Sequence, residues 1–182
     1  MFRVQIFGES HGSVVGVLID GCPAGISLVP EQFAADLARR RGGQQPGTTP
    51  RVEEDIPNFR SGVFNNKTTG APLLIEFENK NIRSTDYEEQ RKIPRPGHAD
   101  LSGMQKYGFS DARDVLERAS ARETAARVAA GALAKIFLST INVDILSHVT
   151  QMGSAKSLSS ARPTIADLQK VDDSPVRCFN AD

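Results

Sequence analysis

A mixed α+β fold is predicted by three features of the sequence. Residues 14–19 form a short apolar run closed by an Asp-Gly pair, which is typical of a strand that ends in a turn. In residues 71–78 the apolar side chains alternate at positions 73, 75 and 77, as expected for a strand with one buried face. Residues 120–139 are rich in alanine, the best helix former, and predict a long helix.

The other elements are predicted in order along the chain. A helix over residues 31–41 follows Pro30, which suits a first helical turn. A strand over 59–64 ends in a turn at Asn65-Asn66. Further segments are a Gly- and Pro-rich loop over 42–50, a long loop over 79–97, a strand over 141–149 and a short helix over 164–171. The length fits a single domain, residues 1–182.

Composition narrows the classes of function. The formal net charge is zero, which argues against a general nucleic-acid binder or a basic membrane-surface protein. Two cysteines without metal-ligand spacing, and no apolar run of about 20 residues, predict a cytoplasmic protein with neither a metal site nor a membrane span. Arginine outnumbers lysine by 15 to 7, and its planar fork of donors matches carboxylates and phosphates.

Two histidines lie in glycine-flanked polar turns. His11 follows Ser10 in the segment Gly-Glu-Ser-His-Gly at 8–12, and His98 lies in Arg-Pro-Gly-His-Ala-Asp at 95–100. Glycine permits close approach of a ligand, and histidine exchanges protons near neutral pH. Each segment can also be explained as an ordinary turn with an exposed polar side chain, and the residues alone leave both interpretations open.

Arginines cluster around a predicted helix start. Ser120 and Glu123 have the spacing of a capping box, so Ser120 is predicted to cap a helix whose N-terminus favours anions. Arg118 and Arg122 lie four residues apart, hence on one helix face, and suit a phosphate or a carboxylate. The run 39–41 is a second arginine cluster, where a helix C-terminus also favours cations. Solvated arginines beside capped helices explain the same pattern, so the residues alone predict a site for a multiply anionic ligand without naming its reaction.

Five longer stretches of the sequence carry a family pattern. They are GESHG at 8–12, SGVF at 61–64, TTGAPLLIEFEN at 68–79, RPGHADLSGMQKYGFSDAR at 95–113 and ERASARETAARVAAGALAK at 117–135. In this order they resemble the chorismate synthase family. The resemblance runs from Phe2 to about Met152 and so covers most of the chain.

The resemblance implies a fold, a reaction and a cofactor. The family fold is a β-α-β sandwich with helices between two antiparallel sheets, usually assembled as a homotetramer, and this chain would supply about half of it. The reaction is the anti-1,4-elimination of phosphate from 5-enolpyruvylshikimate-3-phosphate, which gives chorismate in the shikimate pathway. It uses reduced FMN without net redox change. NADPH enters only indirectly, for flavin reduction, since no dinucleotide-binding glycine motif follows a strand here.

The resemblance also implies roles for single residues, carried over by position. His11 would be the acid for the departing phosphate, and His98 would protonate or stabilise the reduced flavin. The residues that would hold the carboxylates and phosphate of the substrate are Ser10, Arg40, Arg95 and Arg122. Those that would contact the flavin are Arg118, Ala119 and Ser120, at the helix start that the capping pattern predicts.

The sequence departs from the family in two ways. Pro46 stands where a second anion-binding arginine is expected, so that contact is missing or has moved to Arg51. Family members are about twice as long, and their second half brings further flavin contacts, a substrate arginine and an aspartate that takes a proton from the flavin. We therefore expect little or no lyase activity from these 182 residues. The alternative is a truncated, non-catalytic module for anion or flavin binding, or for assembly.

Overall fold

The computed structural model describes residues 1–41, 51–80, 82, 91–157 and 162–180. The described residues up to Leu133 make one compact unit, and those from Ala134 onward make a second. Helices and antiparallel strands are both present, which confirms the predicted α+β class. The single-domain organisation stays a prediction. The loop predicted over 42–50, which includes Pro46, lies outside the described residues.

A four-stranded antiparallel sheet lies in the first unit. Its strands, in spatial order, are β1 (Arg3–Gly8), β2 (Val14–Asp20), β6 (Leu73–Glu78) and β3 (Asn58–Ser61). The register places Val15 opposite Phe77, Val17 opposite Ile75 and Ile19 opposite Leu73. All six side chains are buried. The alternating pattern of residues 71–78 therefore marks the buried face of a strand, as predicted.

The helices of the described residues are α1 (Ala34–Arg40), α2 (Asp100–Tyr107), α3 (Arg113–Arg118), α4 (Thr124–Ser139) and α5 (Leu168–Asp173). Three begin as 3-10 turns: Pro30–Phe33 leads into α1, Ala121–Glu123 into α4 and Ile165–Asp167 into α5. The helices predicted over 31–41, 120–139 and 164–171 are thus confirmed. Phe33, Leu37, Ala125, Ala126, Ala129 and Leu133 are buried and belong to the core. Across the described ranges, no helix has both the length and the hydropathy needed to cross a bilayer.

The strand predicted over 59–64 is wrong as a single strand, because it is broken at Gly62. Gly62 has a φ of +82°, and a Cβ there would lie 2.5 Å from Leu73 Cα, so the backbone turns where glycine is required. β3 ends before this point. The next residues form β4 (Val63–Phe64), which pairs with β5 (Lys67–Thr68) across the predicted turn at Asn65-Asn66. Both asparagines have positive φ, as a tight hairpin turn requires.

The strand predicted over 141–149 is also wrong. Within the described part of the chain, these residues form only a single bridge, between Val149 and Cys178. Ile141 and Ile145 are more than half exposed, so the apolar pattern does not mark a buried strand face in this described segment. As far as its residues are described, the regular structure of this second unit consists of the end of α4 from Ala134, the 3-10 turn that leads into α5, α5 itself, and a hairpin of β7 (Gln151–Met152) and β8 (Ala155–Lys156).

Candidate functional site

The Gly-Glu-Ser-His-Gly segment connects β1 to β2 as a tight loop. Gly8 has a φ of +94°, and a Cβ there would lie 2.3 Å from the Val14 backbone oxygen, which requires glycine. The buried Asn79, directly after β6, donates from Nδ2 to the backbone oxygens of Glu9 and Gly12 at 3.1 and 2.8 Å. The loop is therefore fixed against the sheet at both ends.

His11 is held in this loop by Glu117 of α3. The Glu117 carboxylate accepts a hydrogen bond from the His11 backbone N–H at 2.8 Å and lies 3.0 Å from ring Nδ1. The Ser10 backbone N–H donates to the Glu117 backbone oxygen at 3.0 Å. The His11 side chain is 21% exposed, so a ligand in the solvent can reach it.

Ser10 is buried and bound to an arginine–carboxylate pair. Arg51 donates from Nη1 to Ser10 Oγ at 3.0 Å, and from Nε and Nη2 to Glu53 Oε1 at 3.0 and 2.8 Å. Glu53 Oε2 accepts the Lys80 backbone N–H at 3.0 Å. The structure thus places Arg51, the substitute considered for position 46, beside a predicted substrate residue.

Arg40 and Arg122 are brought together by one buried carboxylate. Asp55 pairs with Arg122 through Oδ1 and with Arg40 through Oδ2. Arg122 also donates from Nε to Asn79 Oδ1 at 2.7 Å, and its side chain is only 2% exposed. A guanidinium removed from water in this way needs a paired carboxylate, because desolvation alone is costly.

The segment 118–122 joins α3 to α4 through the 3-10 turn. Ser120 caps that turn, since its Oγ accepts the Arg122 backbone N–H at 3.5 Å, while Glu123 pairs with Arg118 and Arg127. Arg118 ends α3, and Arg122 lies in the turn. The expectation that these two arginines share one helix face is therefore wrong: the turn between the helices separates Arg118, which is 45% exposed, from the buried Arg122.

Two pockets of the first unit are lined by the segment 118–122. A cavity of about 580 Å³ is lined by Arg118 and Ala119, together with Tyr107, Phe109 and Val115. A small pocket of about 60 Å³ is lined by Arg40, Arg41, Arg51, Glu53, Ser120, Ala121 and Arg122. We call them the large cavity and the arginine pocket. The large cavity falls in the size range of small-molecule sites, whereas the arginine pocket has room for a single oxyanion group.

Arg95 and His98 lie in the turn that leads into α2. Arg95 donates to the buried Asp100 carboxylate from Nε and Nη2, both at 2.9 Å, and from its backbone N–H at 3.0 Å. These bonds lower the pKa of Asp100 to about 2, although burial of the carboxylate acts in the opposite direction. His98 is exposed, with Nδ1 3.2 Å from the Pro96 oxygen. Neither Arg95 nor His98 lines the two pockets, but the neighbouring Ala99 lines the large cavity.

Sequence reasoning missed the carboxylates and the amide that hold these side chains. They are Glu53, Asp55, Asn79 and Glu117. Asn79 and Glu117 lie inside stretches quoted for the family resemblance, at the end of EFEN and the start of ERASARE. Nothing in the sequence pattern distinguishes them from solvated polar residues, because their burial depends on contacts between distant parts of the chain.

Comparison with known proteins identifies the family. A family model described as Chorismate synthase matches residues 2–182. The chain belongs to the chorismate synthase family. A chorismate synthase of Methanococcoides burtonii is 46% identical over 177 residues, which are 97% of this chain and 48% of that protein. A chorismate synthase of Chitinophaga pinensis is 58% identical over 139 residues, which are 76% of this chain and 41% of that protein.

A solved structure confirms the family fold. The match is described as a crystal structure of chorismate synthase, with a TM-score of 0.74 and 34% sequence identity. It covers 98% of this chain and 48% of that chain. The present chain therefore spans about half the length of the chorismate synthases that it matches.

Proposed function

We propose that this chain carries the substrate- and flavin-facing part of a chorismate synthase, which eliminates phosphate from 5-enolpyruvylshikimate-3-phosphate with the help of reduced FMN. The observation that carries the proposal is the segment 118–122, which lines both the large cavity and the arginine pocket. One of these suits a flat aromatic cofactor, and the other suits a charged group of a small molecule. Family membership supports reduced FMN as the cofactor and 5-enolpyruvylshikimate-3-phosphate as the small molecule.

The arginine pocket has the charge that a substrate with two carboxylates and a phosphate needs. Among the described residues, four arginines line it, and they are partly balanced by Glu53 in its lining and by the buried Asp55. Four positive and two negative charges leave a surplus of about two positive charges for an incoming anion. Arginine forks bind carboxylates and phosphates in a bidentate manner, which fixes the orientation of the bound group.

Arg51 is proposed to supply the contact that Pro46 lacks. Its guanidinium lines the arginine pocket and donates to Ser10, one of the predicted substrate residues. Glu53 holds the guanidinium plane through Nε and Nη2. A guanidinium fixed in this way loses less side-chain entropy when it binds an anion.

The residues around the large cavity fit a flavin. Tyr107 and Phe109, with ring centroids 5.6 Å apart, supply aromatic surface to a planar ring system. Arg118 and Lys106 supply cationic donors for the flavin phosphate, beside three carboxylates of the same lining, Glu9, Asp114 and Glu123. Ala119, from the segment predicted to contact the flavin, lines the same cavity. When bound, reduced flavin would supply transient electron density that helps the phosphate leave.

The two histidines are proposed to carry the proton transfers. His11 would protonate the departing phosphate from its partly exposed ring, and His98, next to Ala99 of the large cavity, would protonate or stabilise the flavin. The substrate contact of Arg95 stays a prediction, since its fork is engaged by Asp100. NADPH as an indirect reductant, the homotetramer and the cytoplasmic location also stay predictions.

A substrate titration tests the proposal at the arginine pocket. Arg51→Ala should weaken binding of 5-enolpyruvylshikimate-3-phosphate about 10- to 100-fold in isothermal titration calorimetry, because a charge-assisted hydrogen bond is worth about 1.5–3 kcal/mol. Arg51→Lys should recover part of the loss by restoring the charge. Arg60→Ala is the matched control, since Arg60 pairs with Glu76 on the sheet and lines neither pocket. Equal affinity in the wild type and in a folded Arg51→Ala variant would contradict the proposal.

A non-catalytic binding module is the second candidate. In its favour, both Arg40 and Arg122 are already paired with Asp55. Both candidates predict substrate binding, so binding alone does not separate them. Phosphate release that requires His11 would favour the enzyme. Substrate binding with no release under anaerobic, flavin-reducing conditions would favour the module.

A further inference from the structure

Glu117 contacts His11 at more points than a simple surface ion pair would. One carboxylate oxygen accepts the His11 backbone N–H at 2.8 Å, and the other lies 3.0 Å from ring Nδ1. The Glu117 backbone oxygen also accepts the Ser10 N–H at 3.0 Å. The two side chains are 21% and 13% exposed, and the residues are separated by 106 positions in sequence. The contact therefore fixes both the loop and the ring.

The chemistry of the partner decides which ring nitrogen carries the proton. An ionised carboxylate can only accept hydrogen bonds, so the Nδ1 that faces it must be the N–H donor. In the neutral ring the second nitrogen, Nε2, then holds the lone pair. The tautomer of a histidine is set in this way by the hydrogen bond that its other nitrogen makes.

We propose that Glu117 is a positioning residue that holds His11 in the Nδ1–H form and thereby makes Nε2 the atom that transfers the proton. The proposal rests on the proposed function for what the ring does and on the geometry above for how it is held. In the transfer, the Nε2–H bond of the protonated ring breaks and an O–H bond forms on the departing phosphate. The electron pair stays on Nε2, and the remaining proton stays on Nδ1 beside Glu117.

The backbone contacts of Glu117 strengthen this assignment. α3 ends at the next residue, Arg118, so Glu117 occupies the last turn of a helix and is not on a long flexible segment. Its backbone oxygen and its carboxylate bind two consecutive residues of the loop. The ring is consequently held relative to both the loop and the helix, and a proton donor held in this way needs little reorganisation before it reacts.

The test is a long-range proton–nitrogen NMR correlation of the histidine rings in the 182-residue chain. It reads the tautomer directly and needs neither substrate nor flavin. With the ring neutral, wild-type His11 should show the Nδ1–H pattern. Glu117→Gln should lose that single pattern and show a mixture of tautomers, because a side-chain amide can either donate to or accept from the ring.

Two controls separate this effect from a general disturbance of the fold. Glu54→Gln removes a carboxylate that pairs with Lys80, so the His11 signals should not change. The His98 ring, whose Nδ1 faces the Pro96 oxygen, should keep its own pattern in every folded variant. The proposal is overturned if wild-type His11 shows the Nε2–H pattern, or if folded Glu117→Gln leaves the tautomer unchanged. The wild-type spectrum decides even if the variant does not fold. Failure of the proposed function appears separately, in the substrate titration with Arg51 variants.

Discussion

At the scale of single residues, the site depends on buried charges that hold one another in place. Asp55 binds both Arg40 and Arg122, and its own backbone has a φ of +53°, which is unusual for a residue other than glycine. A strained residue of this kind persists only where its surroundings hold it. Here the two guanidinium groups provide that restraint, so Asp55 links the position of one predicted substrate arginine to that of the other.

Removing Asp55 should therefore destabilise the protein strongly. We expect Asp55→Ala to lower the free energy of unfolding by about 3–5 kcal/mol in urea titrations, because it leaves a buried guanidinium without its partner. Glu54→Ala is the neighbouring control. Glu54 and Lys80 form a pair whose side chains are both about 60% exposed, so its loss should cost no more than about 1 kcal/mol. If the two variants lost equal free energies of unfolding, the pairing of Asp55 with the two arginines would not be the stabilising contact described here.

The Asp100–Arg95 pair should make the free energy of unfolding depend on pH in the acid range. Arg95 lowers the pKa of Asp100 to about 2 in the folded protein, whereas an unpaired aspartate has a pKa of about 3.9. The unfolded chain therefore takes up the proton first as the pH falls. The stabilisation, about 2 kcal/mol, is complete above about pH 5 and is lost as the pH falls towards 2. Asp100→Asn should be less stable at neutral pH and should lose part of this acid dependence, measured by urea unfolding at several pH values. An unchanged pH profile in the variant would contradict the assignment.

At the scale of elements, α2 and α3 frame the large cavity and are packed closely at Gly103. A Cβ at Gly103 would lie 2.4 Å from Val115 Cγ1. Gly103→Ala should therefore lower the free energy of unfolding by about 1–3 kcal/mol through overpacking, and Val115→Ala should relieve part of that loss in a double-mutant cycle. Gly131 of α4 is the control, because a Cβ there has no atom of the described residues within 4 Å, and Gly131→Ala should stabilise by up to about 1 kcal/mol. Additive effects of the Gly103 and Val115 changes would argue against the contact.

Some helices and strands could be predicted from the sequence and others could not. β2, β6 and α4 were predictable because the local sequence marks each of them: an apolar run closed by Asp-Gly in β2, alternating apolar residues in β6 and an alanine-rich segment in α4. α2 and α3 are short and largely polar, and they were missed because their packing depends on single contacts such as Gly103 against Val115. The apolar residues 141–149 gave a false strand, since periodicity cannot show whether a partner strand is present. The strand predicted over 59–64 is broken at Gly62, where the backbone passes too close to Leu73 for a side chain, and this contact between distant residues cannot be predicted from the local sequence.

At the scale of the whole molecule, the sequence could name candidate ligand-binding residues but not the residues that hold them in place. Ser10, His11 and Arg40 were predicted as site residues, and the structure ties each of them to a buried or half-buried polar partner. Because those partners are distant in sequence, no local motif predicts them. Their roles towards substrate and flavin stay predictions, as does the expectation of little lyase activity from these 182 residues.

The most direct measurement of the central claim is an anaerobic titration of the chain with reduced FMN, with and without 5-enolpyruvylshikimate-3-phosphate. We predict that reduced FMN binds, that the substrate tightens its binding, and that Arg118→Ala weakens it about tenfold by removing a charge-assisted contact in the large cavity. Arg60→Ala should bind as the wild type does, because Arg60 lies outside that cavity. A folded chain that binds no reduced FMN in the presence of substrate, or binds it equally well without Arg118, would contradict the account.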